Sequence, residues 1–325
     1  MKKFRNYSLL VGAMLTFAFT SCNNDEIETI PYEGPVAAQV TAGIDGVATR
    51  AADASWEAGD AIGIFCSSDG DVTKYTNMKY VTAKGDGTFT HYNGNTEETS
   101  SGIFFQGTGN VTFSAYYPFT GTDGTIPGTD GAISGNTSSQ SSNQKNLDYM
   151  YAGGVTTTYA SPTVSFNGDD TKFKHKMTRL KLVLQTSADA GFSADNVKSG
   201  TYTLGGLKHE GTFNVTDGTA EATGSSSAVS DWSVSTNCPS ADADSKRTYT
   251  MILYPQTVSE ALPFTATINS QQYKNSADIK FTDNKLLAGT SYTFTITIKK
   301  TGLVVSSCTI EGWTDKTVSG DATMQ

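Results

Sequence analysis

Two short stretches carry residue types suited to covalent processing. The first is "FTSC", residues 19–22, which closes the apolar run "YSLLVGAMLTFAFTSC" behind the basic opening "MKKFRN". That run is shorter than the ~20 residues a membrane span needs and has the plan of a secretory signal. A cysteine after small residues at its end has the layout of a lipobox. Cleavage after Ser21 would make Cys22 the acylated N-terminus, and a fatty acyl chain such as palmitate then anchors the chain without a transmembrane helix. The second stretch is "GVATRAADAS", which holds Arg50, one of only four arginines with Arg5, Arg179 and Arg247. Small residues surround it, and exposed small-residue linkers are where proteolysis concentrates. The Arg50–Ala51 bond is therefore a candidate for a protease that cuts after arginine.

Other reactive residue types form no constellation. His91, His175 and His209 lie far apart and lack metal-ligand spacing, and a lone imidazole without a local partner motif reads as structural. The aspartates of "SSDGDVT", "KGDGT" and "FNGDD" match no twelve-residue calcium loop, and Asp-Gly is a standard turn dipeptide. Trp56, Trp232 and Trp313 offer stacking faces for sugars, although single tryptophans in a β-sandwich are more often core residues. No nucleophile elbow, zinc-binding helix or phosphate loop is present. The expectation is a chain that is not an enzyme and has no catalytic residue, cofactor or metal.

Charge narrows the partners. Removing residues 1–21 takes Lys2, Lys3 and Arg5 and leaves 20 basic against 32 acidic residues, a formal charge of −12. Dispersed lysines on an acidic chain leave no footprint for nucleic acid. Charged residues are 17% of the chain, below the roughly 25% of ordinary domains. With Cys22 lipidated, Cys66, Cys238 and Cys308 remain, an odd number that cannot complete a disulfide framework. A Cys238–Cys308 pair and buried thiols are both open.

The elements that position these residues are strands. Sustained 3.6-residue periodicity is nearly absent, whereas "TSYTFTITIK" alternates Tyr292, Phe294, Ile296 and Ile298 with polar residues. "NVTFSAYYPF", "RTYTMILYPQ" and "ALPFTATIN" are similar short runs bounded by turn formers, the pattern of an all-β sandwich. About 300 residues beyond the signal suit two such domains, with a boundary near residue 170. Upstream of Arg50, Val36, Ala38, Val40, Ala42 and Ile44 face one way, which predicts a first strand along a sheet edge. A cut after Arg50 would free that strand with the lipid, leaving an apolar groove that another chain's strand can fill. The polar tract at residues 121–146 reads as a floppy connector or a binding loop. In "FKHKMTRLKLVLQT" the apolar phase slips between Met177 and Leu180, which predicts a bulge or bend near Thr178–Arg179.

Taken in order, "WEAGDAIGIF", "FSAYYPF", "DYMYAGG", "FKHKMTRLKLVL", "MILYPQ" and "LLAGTSYTFTITIKKTGLVVSSCTIEGW" resemble the fimbrillin family of type V pili in Bacteroides-like bacteria. The carrying residues are Trp56, Gly59, Asp60 and Ile62–Phe65, then Phe173, His175, Leu287, Gly289, Tyr292, Ile310 and Trp313. The acidic residues Asp25 and Glu26 just after Cys22 resemble a surface-export signal of Bacteroides-type lipoproteins.

The resemblance implies two tandem transthyretin-like β-sandwiches in a lipoprotein precursor that reaches the outer membrane and cell surface. The signal peptide would be residues 1–21, a lipidated propeptide with the first strand 22–50, the N-terminal sandwich 51–170 and the C-terminal sandwich 171–325. After cleavage at Arg50, the acceptor groove would be the place left by Val36, Val40 and Ile44. Partners would be other fimbrial subunits joined by β-strand addition, the processing protease and, before cleavage, the membrane. Val304, Val305, Ile310 and Trp313 would belong either to a C-terminal donor segment or to the last strand of the second sandwich. The short tail after Trp313 leaves stalk, tip, accessory and anchor roles open. The alternative is a stand-alone surface lipoprotein that binds a glycan or host protein.

Overall fold

A computed structural model describes residues 31–46, 55–224, 232–259, 261–274 and 279–313. The described chain is nearly all β, as alternation predicts, with α-helix limited to Ala194–Ser199 and Val234–Asn237. The first large sheet follows one hydrogen-bonded path. Its order is Thr163–Phe166, Gln39–Ala42, Thr88–Asn93, Lys74–Thr82, Asp60–Ser68, Val111–Tyr117, Met150–Thr157 and Lys174–His175, with Thr96–Glu97 beside Thr88–Asn93. Strands from both ends of this path supply one core, including Val40, Ile62, Phe113, Phe166 and Phe173. The sheet therefore folds over on itself.

Two further sheets face each other. Ser240–Ala243, Lys246–Leu253, Thr178–Gln185, Thr290–Lys299 and Gly302–Gly312 form a five-stranded sheet, with Thr178–Gln185 parallel to Thr290–Lys299. Trp232–Ser233, Thr201–Leu204, Phe264–Ile268 and Gln271–Lys274 form a four-stranded sheet. Both bury side chains in a second core around Leu180, Leu182, Tyr202, Phe264 and Phe294. Tyr292, Phe294, Ile296 and Ile298 are all buried, as the alternating run requires. A third cluster joins residues from both parts, among them Tyr116, Tyr149, Phe213 and Tyr254. Within it, Tyr149 stacks on Phe213 with ring centroids 4.7 Å apart.

Three sequence expectations are corrected. Of the bulge or bend expected near Thr178–Arg179, the chain makes a bend, at Met177, and not a bulge within one strand. Lys174–His175 pairs with Met150–Tyr151 of the first sheet, whereas Thr178–Gln185 begins the second. Phe173, Met177 and Leu180 lie in three different clusters, so the phase changes because the chain changes core. The tract 121–146 is not a floppy connector. Ala132–Asn136 pairs with Glu210–Asn214, and Gln140 is fully buried. Gln140 donates to the Thr137 and Ile252 carbonyls and accepts from the Ile252 N–H at 2.7 Å. The polar tract thus satisfies backbone groups of a distant strand, a role its composition conceals. The third correction concerns the first strand and follows below. Cys66, Cys238 and Cys308 are free thiols, so the Cys238–Cys308 pair does not form.

Candidate functional site: the seam of the first strand

The segment from Val36 to Asp45 is sewn in by pairing at three successive places. Val36 and Ala37 pair with Phe105 and Phe104. Gln39–Ala42 then runs parallel to Thr163–Phe166 on one side and antiparallel to Phe89 and Thr88 on the other. Ile44 bridges Phe173, whose N–H donates to the Gly43 carbonyl while its own carbonyl accepts from Asp45 at 2.7 Å. The strand predicted at an edge is therefore an interior one. Its outer neighbour comes from far downstream, and a parallel partner at that distance leaves no mark in local alternation.

The predicted facing survives this correction. Val40 and Ala42 are 2% and 3% exposed, Val36 and Ile44 are half-buried, and Ala37 and Gln39 point to solvent. Around Ala42 the walls are large. Trp56 packs edge-on against Phe89, Tyr117 and Phe173, with centroids 5.1 to 5.5 Å away. Its indole Nε1 donates to the Ala42 carbonyl at 2.7 Å. Gly87, with φ of +81°, lies so close that a Cβ there would sit 2.7 Å from the Ala42 oxygen. At the strand's end Lys172 pairs with Asp45 at 3.0 Å and with Asp169 at 3.2 Å. The hydrogen bonds it donates to these two carboxylates hold the Lys172 ammonium above its ordinary range.

The "WEAGD" stretch explains itself locally. The Asp60 carboxylate accepts the Glu57 N–H at 2.8 Å, Asp60 N–H returns to the Glu57 carbonyl, and Gly59 between them takes φ of +93°. That turn aims Trp56 at the first strand. It also borders a cavity of about 230 Å³ lined by Ile44, Trp56, Asp60, Lys145, Asp148 and His175 among others. Lys145 bridges Glu57 and Asp60 at 2.5 and 2.7 Å. Burial opposes its charge, yet the two hydrogen-bonded carboxylates outweigh that and raise its pKa.

The C-terminal residues lie elsewhere. Gly302–Gly312 is the outer strand of the five-stranded sheet, paired along its length with Thr290–Lys299. Val305 and Trp313 are buried, whereas Val304 and Ile310 are 44% and 41% exposed. Within the single chain this segment is a strand of that sheet. Cys22, Arg50 and Ala51 lie outside the described residues. Sequence reasoning marked Trp56, Asp60 and Phe173 but missed what they do: Trp56 and Phe173 hold the strand by hydrogen bonds, and Asp60 sets the turn that carries Trp56. It also missed Gly87 and Lys172, whose signals are a turn glycine and a lysine among many.

Comparison with known proteins agrees with this architecture. A family model described as "Fimbrillin-like" matches residues 49–313. A Bacteroides uniformis protein named "Putative fimbrium subunit Fim1C" is 30% identical over 98% of this chain and 98% of its own. The crystal structure of a "putative cell adhesion protein" from Bacteroides ovatus superposes with a TM-score of 0.68 at 25% identity, covering 86% of this chain and 98% of the other. One from Bacteroides uniformis, described in the same words, gives 0.65 at 25% identity over 87% and 100%. The chain belongs to the fimbrillin-like family.

Proposed function

We propose that this chain is a structural or minor subunit, at the tip or as an accessory, of a cell-surface fimbria. It is exported as a lipoprotein through Cys22, cut after Arg50, assembled with other subunits by β-strand exchange, and supports cell adhesion without catalysis. The family and its fimbrium-subunit relative support the coarse role. One observation carries the finer one. The interior strand Gln39–Ala42 lies upstream of Arg50 and is embraced on both sides by strands that lie downstream of it. Losing that strand would strip backbone partners from Phe89 and from Val164–Phe166, at about 1–3 kcal/mol for each polar group left buried and unpaired. It would also uncover the apolar rings beneath. An incoming strand restores both.

Sequencing the N-terminus of protein sheared from producing cells tests this reading. A start at Ala51, in material that runs as oligomers, is the expected result. An acylated start at Cys22 in monomeric material would overturn the strand-exchange step and favour a stand-alone surface binder.

A further inference from the structure

The seam says which kind of segment fits. Resting on the strand-exchange reading, we infer that the groove selects an extended segment with alanine at the position of Ala42 and a valine-sized residue two places earlier. The indole of Trp56 fixes the register by binding that segment's backbone carbonyl.

Three observations carry this. First, the two positions are unequal. Val40 stands beside Phe89 and Val164 across the sheet, whereas Ala42 stands beside Phe166. Phe166 and Phe173 are fully buried and Trp56 closes the other side. The volume at position 42 is taken by rings belonging to the groove, so a methyl group completes the packing. A larger side chain there would overpack a closed core, which typically costs enough to weaken binding tenfold or more. Second, the backbone at this point is pinned from three directions. Ala42 N–H donates to the Gly87 carbonyl at 2.8 Å, Gly43 N–H donates to the Phe166 carbonyl at 2.9 Å, and the Ala42 carbonyl accepts from Trp56. The Gly87 approach leaves no slack for the strand to ride outward. Third, Trp56 lies downstream of Arg50 and stays with the body after cleavage. With the strand gone, its buried N–H loses its acceptor. A side-chain donor inside a sheet ladder recognises a carbonyl of any sequence, but only at one position. Because side chains alternate faces, a slip by one residue would turn the apolar face outward. The exposed positions, such as Gln39, carry little of the choice.

The test uses the chain from residue 22, with Cys22→Ser, cut after Arg50 by an arginine-specific protease. Fluorescent peptides of residues 34–46 are exchanged into it and their affinities read by anisotropy. The native peptide and its Gln39→Lys version are expected to bind alike. Ala42→Leu and Val40→Phe peptides are expected to bind at least tenfold more weakly. A peptide with an alkene in place of the amide bond following Ala42 loses affinity for the wild-type body, and Trp56→Phe loses about tenfold for the native peptide. Combining the two changes is expected to cost less than their product, because they remove one shared contact. Equal binding of all side-chain variants, or strictly multiplicative losses in that cycle, would overturn the inference while leaving strand exchange intact. Failure of the native peptide itself to exchange would overturn the strand-exchange reading instead. Should Trp56→Phe fail to fold, the alanine and valine peptides on the wild-type body still decide the size rule.

Discussion

The imidazole of His175 lies flat on the indole of Trp313, with ring centroids 4.2 Å apart and planes 2° from parallel. His175 pairs with Met150 in the first sheet, while Trp313 directly follows the last strand of the second. Asp148 pairs with His175 Nδ1 at 2.9 Å, and the Arg179 guanidinium sits 5.0 Å from the Trp313 ring centre. Trp313 N–H donates to the Gly289 carbonyl, and Gly289 N–H donates to that of Met177. The end of the C-terminal strand is thereby fastened where the chain passes from one core to the other.

Trp313→Ala removes the stack and opens a cavity under a residue that is 3% exposed. The expected loss is about 3–5 kcal/mol of unfolding free energy, read from urea denaturation, with Trp313→Phe recovering a substantial part. A loss below about 1 kcal/mol, the size of a surface change, would mean the stack does not hold the junction.

Gln140→Leu keeps the volume but leaves the Ile252 N–H without the acceptor it has at 2.7 Å, and the Ile252 carbonyl without its amide donor. The side chain also accepts from Gln144, which itself reaches the Thr250 carbonyl. Stability is expected to fall by roughly 2–4 kcal/mol. Amide exchange at Ile252 should quicken relative to the centre of Thr178–Gln185. Unchanged protection there would show that the tract 121–146 does not stitch the strand.

These two sites mark what could be read in sequence. Strands with one buried face, such as Thr290–Lys299, announce themselves because every second side chain must be apolar. Val40 and Ala42 did so too, so the identity of the seam was legible. Its depth was not, since the parallel partner Thr163–Phe166 and the donor Trp56 are chosen by topology rather than by spacing. Gln140 was illegible for another reason. A glutamine in a polar tract looks solvated whether it meets water or a buried backbone. Asn77 behaves likewise, fully buried with φ of +49°, its amide spread over the carbonyls of Thr120, Thr122 and Thr125.

Gly87→Ala tests the tightness of the seam in the uncut protein. The new Cβ would meet the Ala42 carbonyl oxygen at 2.7 Å with a backbone already at positive φ, so both contact and conformation oppose it. A loss of about 2–3 kcal/mol is expected. Faster hydrogen exchange at Ala42 and Gly43 than at Leu180 should accompany it, because the strain falls on the first strand. Gly94→Ala, also at positive φ but with open space around its Cβ, is the control and should cost less. Equal effects would place the cost in conformation alone.

His209 gives a prediction in pH. Its Nδ1 lies 3.2 Å from the Thr137 hydroxyl, its ring packs on Trp232 at 4.4 Å, and burial pushes its pKa down to about 4 from the ordinary 6.5. The folded state then holds the ring neutral over a range in which the unfolded chain takes up a proton. Where the unfolded state binds more protons, stability rises with pH. This contribution is therefore complete above pH 6.5, declines as pH falls from 6.5 towards 4, and levels off below. Roughly 2–3 kcal/mol should disappear across that window, and the His209→Asn variant should lack that part of the slope. Other groups titrate alike in both proteins, so the difference between the two curves isolates the ring. A difference that is flat from pH 4 to 7 would show that the imidazole can be charged without disturbing its contacts with Thr137 and Trp232.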